Sequence, residues 1–244
     1  CSSDLVTSQP SGGDSRDMVR LLGRHLGEVI RDQHGQSALD RVEGVRRDVV
    51  GEYRQGRSVT TLVRQFSHLP NRELVLLIRA FAIFSQLANI ADDYHARCEA
   101  ERDDQDPLAG LKANPDMTPE RVYAFLSNAL IVPVITAHPT EVRRTSIINR
   151  ESAIADLLPA YDYYAANKAK RRDIEIQLKR EIRTLWQTRM LRPTRIHVSD
   201  EIDNAISIFA RTFISQVPAV KRRLSALFGL DVPLPGFQIG RAHV

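Results

Sequence analysis

Residues 134–144 read Val-Ile-Thr-Ala-His-Pro-Thr-Glu-Val-Arg-Arg, a stretch in which one histidine, one carboxylate and two guanidinium groups follow an apolar run. Imidazole passes protons near neutral pH, so His138 is the group here suited to general acid or base work. Pro139 disfavours the helical region for the residue before it, and it suits the first turn of a helix itself. His138 is therefore expected to be held extended at the carboxyl end of a strand, with a helix opening just after it. Glu141 then falls near the positive end of that helix, and Arg143 and Arg144 add donors for an anionic ligand. In a parallel α/β barrel the carboxyl ends of the strands make up the face on which active sites assemble. The competing reading has His138 packing or capping a turn and the two arginines lying on a solvated helix face. His25, His34, His68, His95 and His197 show no ligand spacing, and packing or surface roles are expected for them.

The elements that must position this stretch are mostly helical. Leu21, Leu22, Leu26, Val29 and Ile30 share one helical face, and Gly35 stops the run. A second helix is predicted over 37–55, a third from Ser58 to about His68, and a long central one from Asn71 to about Glu101, buried along one side. Residues 103–120 gather Asp, Pro, Gly and Asn as a loop, after which Thr118 and Pro119 open a short helix to about Asn128. Leu130–Thr136 is the one strand, with Pro133 an objection to it. Helices are predicted again over Thr140–Leu158 and Tyr161–Met190, the latter with a narrow seam of Ile174, Leu178, Ile182 and Leu185. Ser199 is expected to cap another helix through Phe213, and a last one runs from about Pro218 to Gly229, followed by an irregular tail.

The chain has 244 residues, 43% hydrophobic and 26% charged, a composition that excludes disorder and collagen. Its 34 basic residues outnumber 30 acidic ones, and only five are Lys. Acidic residues are scattered among the arginines and aromatics make up only 6%, so the pattern does not favour nucleic-acid binding. Cys1 and Cys98 are too few for a disulfide framework, which points to a reducing, cytoplasmic compartment. No apolar run approaching about 20 residues is expected, and hence no membrane span.

The unbroken series Thr136, Ala137, His138, Pro139, Thr140 and Glu141 resembles the first signature of the phosphoenolpyruvate carboxylase family. The likeness extends to LLGRHLGEVIRDQHG at 21–35, ALDRVEGVRRDVV at 38–50, LANIADDYH at 87–95 and LWQTRMLRP at 185–193, and so covers nearly all of 17–239 in the family's order. It implies a predominantly α-helical fragment of an α/β-barrel enzyme that contains the first barrel strand. It also implies a lyase that fixes carbon dioxide, turning phosphoenolpyruvate and bicarbonate into oxaloacetate and phosphate to replenish the citric acid cycle. His138 would serve the carboxyphosphate stage, and Arg143 and Arg144 would hold phosphate or order the loop. The family uses Mg2+ or Mn2+ and forms homotetramers. Its metal-binding carboxylates, its Gly-Gly-Asp-Arg-Asp-Gly-Asn-Pro stretch and its glycine-rich arginine loop do not occur in this sequence. Their ligands are expected outside it, and the chain alone is expected to be inactive. Thr145 departs from the basic residue that many relatives carry there.

Residues 1–16 are expected to be a flexible leading segment, and a start with Cys suggests that the true start is missing. Ile239–Val244 matches one reading frame of a common sequencing adaptor, so 240–244 are expected to be a non-native tail in which Arg241 and His243 carry no function. From another class, the same amphipathic helices allow an Arg-rich all-helical binding or scaffold domain without catalysis. A third reading makes His138 a phosphate carrier.

Overall fold

The computed structural model describes residues 15–55, 68–102, 108–136, 144–190, 197–238 and 240–242. In chain order the described elements are α1 (Ser15–His34), α2 (Gln36–Arg54), α3 (Asn71–Arg102), α4 (Ala109–Ala113), α5 (Pro119–Asn128), β1 (Leu130–Ile131), β2 (Val134–Thr136), α6 (Thr145–Tyr163), α7 (Lys168–Gln187), α8 (Val198–Arg211), α9 (Phe213–Phe228), β3 (Gly236–Phe237) and β4 (Gly240–Ala242). The described residues are thus predominantly helical, with two short parallel strand pairs and no closed barrel among them. Two compact units divide the chain: residues 1–101 with 146–190, and residues 102–145 with 191–244.

The first unit is built on the apolar stripes that the sequence spacing anticipates. Leu22, Leu26, Val29 and Ile30 on α1 are buried in one cluster with Ile174, Leu178, Ile182 and Leu185 on α7. From α3, Leu77, Ile83, Leu87 and Ala91 join the same cluster, and Ile154 and Leu158 do so from α6. Burial of such side chains contributes roughly 1.5–3 kcal/mol each, which makes this cluster the principal reason the helices associate. Gly35 has φ of 86°, a backbone region open to glycine, and it lets α1 end and α2 begin one residue later. Along the outer edge Lys179 reaches Glu28 at 2.9 Å and Asp32 at 3.2 Å, polar contacts that fix register more than stability.

Several boundaries differ from the expectations. The helix predicted from Thr140 begins at Thr145, with Arg144 outside it, because the positive start of a helix disfavours adjacent cations. That helix continues through Pro159 to Tyr163, since burial of Ile154, Leu158 and Tyr161 holds it together around the missing N–H. The run predicted from Tyr161 to Met190 is instead α7, opened by Asn167, whose side-chain oxygen accepts from the Lys170 N–H at 3.1 Å. Before α8 the capping position belongs to His197, not Ser199, and the Asp200 carboxylate accepts its backbone N–H at 3.0 Å. The last helix begins at Phe213 and includes Pro218. Apart from His68, the helix predicted from Ser58 lies outside the described residues.

The expectation about apolar runs also needs correction. Over Asn71–Ala100 α3 is long and apolar enough to cross a membrane by length and composition, with mean hydropathy 1.9 in its most apolar window. Arg79 is the only charge between Glu73 and Asp92, and it is what makes the run look interrupted in a simple count. In the structure the stripe from Leu77 to Cys98 belongs to the core of the first unit, while Val75 and Ile78 are exposed.

Candidate active site at a strand end

In the second unit, the run read as one strand is two. β1 pairs in parallel with β3, with Leu130 opposite Gly236 and Ile131 opposite Phe237. β2 pairs in parallel with β4, with Val134 opposite Gly240, Ile135 opposite Arg241 and Thr136 opposite Ala242. The offset is the same in both ladders, so this is one register interrupted at Val132-Pro133. Proline has no N–H to give a ladder, and the interruption falls there. The expected irregular tail is therefore a correction: its residues 236–237 and 240–242 are strands, a parallel pairing across about a hundred residues that local periodicity does not reveal.

What fixes the pair is aromatic. Phe209 on α8 stacks on Phe213 of α9 with ring centroids 5.0 Å apart, and Phe237 of β3 meets Phe209 edge-on at 5.9 Å and Phe213 at 5.2 Å. Gly236 lies so close to β1 that a Cβ there would come within 3.0 Å of Leu130 Cδ1. Upstream, α9 stops at Gly229 with φ of 69°, Val232 is fully buried, and its N–H donates to Ser225 Oγ at 3.2 Å. The phenylalanines at 209 and 213 stand one helical turn apart, inside the single helix predicted from Ser199 through Phe213.

Thr136 closes β2, and because β2 and β4 are parallel its carboxyl end lies at the same edge as that of β4. The backbone that leads into His138 is thus extended up to the motif's first residue, as the strand reading required. Ala137, His138, Pro139, Thr140, Glu141 and Arg143 lie outside the described residues. Arg144 is half-buried and stands directly before α6. Among the described residues no group of three or more His, Cys, Asp or Glu side chains is placed to hold a metal ion.

The buried titratable groups of the described chain lie in the first unit, and they bind helices together. Tyr94 on α3 donates its hydroxyl to Asp162 on α6 at 3.1 Å, and burial raises the Tyr94 pKa well above its ordinary value. Glu181 of α7 accepts from Arg150 of α6 and from Arg180 at 3.2 Å. His25 is buried with neither ring nitrogen hydrogen-bonded among the described residues, and burial lowers its pKa against the opposing pull of Glu28. Spacing singles out neither Tyr94 nor Glu181, whereas His25, for which a packing or surface role is expected, is buried.

The chain matches the family model for phosphoenolpyruvate carboxylase over residues 16–232, a range that includes the whole Thr136–Glu141 signature. The chain belongs to the phosphoenolpyruvate carboxylase family. Among curated relatives, the phosphoenolpyruvate carboxylase of Aromatoleum aromaticum is 38% identical over 238 residues, covering 89% of this chain and 26% of that protein. That of Paraburkholderia xenovorans is 38% identical over 238 residues, covering 90% of this chain and 24% of the relative. That of Ralstonia nicotianae is 36% identical over 263 residues, covering 95% and 26%. The chain therefore spans about a quarter of the length of the phosphoenolpyruvate carboxylases it matches. The match takes in most of both units, while β3 and β4 of the second lie past its last residue.

Proposed function

We propose that this chain supplies the signature-histidine portion of a phosphoenolpyruvate carboxylase, with β2 as the first strand of its barrel and His138 at the active face. The observation that carries this reading is an unbroken Thr136–Glu141 signature, entered from a parallel strand, within a family match over most of the chain.

In the family's reaction bicarbonate attacks the phosphorus of phosphoenolpyruvate, which gives carboxyphosphate and the enolate of pyruvate. His138 then takes the proton of the carboxyphosphate carboxyl group. The carbon–oxygen bond to phosphate breaks, carbon dioxide is released, and the imidazolium returns its proton to the departing phosphate. The enolate attacks carbon dioxide to form oxaloacetate. Arg143 and Arg144 hold the transferred phosphate, with guanidinium geometry suited to its oxygens. Thr136, Ala137, Pro139, Thr140 and Glu141 shape the turn that presents the imidazole. The family's Mg2+ or Mn2+ finds no ligand set among the described residues, and no step here is routed through it. Homotetrameric assembly and a cytoplasmic location follow from the same reading.

The test is His138→Asn in a polypeptide that carries this chain together with the remainder of the relatives' length. Loss of a general base should lower kcat for oxaloacetate formation by about 10²–10⁴-fold. An unchanged kcat overturns the assignment.

A further inference from the structure

Where α1 ends, α2 begins and α3 begins, a cavity of about 400 Å³ is lined by His34, Ser37, Arg41, Arg72, Glu73 and Arg79, among others. The carboxylate is already used: Arg41 forms an ion pair with Glu73. Arg72 has no carboxylate partner among the described residues. Arg79 donates to the Thr188 carbonyl at 2.8 Å and lies over the Trp186 ring at 5.3 Å, yet its Nε is buried without a hydrogen-bond partner. The cavity is therefore lined by two guanidinium charges that no carboxylate balances among the described residues.

The neighbouring histidine responds to that field. Trp186 Nε1–H donates to His34 Nε2 at 3.1 Å, and an indole nitrogen can only donate, so His34 carries its proton on Nδ1. A second proton would have to go on Nε2, against the indole N–H. Burial and the positive charges of Arg72 and Arg79 also hold the imidazole below its ordinary pKa. A neutral imidazole, two unbalanced guanidinium groups and the Ser37 hydroxyl make a donor-rich, cationic wall.

We propose that this cavity is a binding site for a phosphate group, with Arg72 and Arg79 as its charged ligands and Ser37 as an added donor. A dianionic phosphate balances both charges and suits guanidinium forks better than a monovalent ion does. The cavity has room for a small organic body attached to the phosphate. This site belongs to the first unit, and it stands whether or not the carboxylase reading holds.

Trp186 is the only tryptophan of the chain and touches the lining residues His34 and Arg79, so its fluorescence reports on their surroundings. The experiment titrates the 244-residue chain with inorganic phosphate and, separately, with glycerol phosphate, against sodium chloride at matched ionic strength. A saturable fluorescence change with phosphate, and a His34 ring titration that moves to higher pH when phosphate is bound, are expected. Arg72→Gln should weaken the response at least about tenfold while the far-ultraviolet circular dichroism stays unchanged, since Arg72 is exposed and has no carboxylate partner among the described residues. Arg46→Gln, which removes an arginine paired with Glu43 outside this cavity, should leave it unchanged. Tighter binding of glycerol phosphate assigns the site to a phosphorylated metabolite, and equal binding assigns it to free phosphate. A response that chloride reproduces, or one that Arg72→Gln leaves intact in a folded chain, overturns the proposal.

Discussion

Leu178 and Ile182 on α7 are completely buried, whereas Ile202 and Ile206 on α8, at the same four-residue spacing, are 53% and 60% exposed. The contrast holds across the two units. In the first, apolar stripes from α1, α3, α6 and α7 converge on one cluster. In the second, Val122, Phe209 and Val232 are buried, while Leu130, Ile131 and Val134 on the strands and Val198 and Ile214 on the helices stay exposed. Amphipathic patterning gives a helix a face to bury, but only a partner at the right place buries it. The first unit contains its partners. The second exposes apolar surface on both its strands and its helices, the kind of surface that marks interaction sites.

That comparison can be broken most directly in the core. Leu178→Ala should destabilise the first unit by about 2–5 kcal/mol, as read from urea denaturation, because it deletes a fully buried side chain and leaves a cavity. A loss no larger than that of a surface substitution would mean the cluster is not a packed core. Next in size is Arg150→Met. It leaves the buried Glu181 carboxylate with Arg180 alone, and a cost of about 1–3 kcal/mol is expected.

A smaller effect is expected from acid. Burial lowers the His25 pKa from its ordinary 6.5, so the unfolded chain takes up this proton more readily than the folded one does. Its contribution to stability is complete above about pH 6.5 and is lost as pH falls from there through the depressed folded value. His34 shifts in the same direction, and Glu28 and Asp32, both lowered from ordinary carboxylate values, begin to matter only at more acidic pH. The urea midpoint should therefore drop between about pH 7.5 and about pH 5.5, and His25→Leu should flatten that drop. Equal slopes in the two proteins would show that His25 is not the buried neutral group described above.

The smallest change sharpens the contrast from the other side. Ile206→Ala should alter stability by no more than about 0.5 kcal/mol, since its side chain is already mostly in solvent. A cost like that of Leu178→Ala would show that α8 is covered after all.

Much of the helical framework was legible because its causes are local. Gly35 and Gly229 stop α1 and α9 with positive φ, and Thr118 with Pro119 opens α5, its hydroxyl accepting from the Arg121 N–H. The seam from Ile174 to Leu185 is the buried face of α7, as its spacing required. The candidate site was legible as a motif, in the six residues from Thr136 to Glu141, of which the described residues include Thr136 at the end of β2. Less legible were the break at Pro133 and the true start of α7, where one proline or one capping side chain shifts a boundary by several residues.

From residue order alone came the helical faces, the chain reversals at glycine and the family signature, since each depends on neighbours within a turn or two of the chain. Only the tertiary structure decided that residues 236–237 and 240–242 pair with 130–131 and 134–136, that the Trp186 indole N–H donates a hydrogen bond to His34, and that Glu181 and His25 are buried. Each of those depends on a partner far along the chain. Hydrophobic periodicity shows which side of a segment turns away from water but does not name what it meets there.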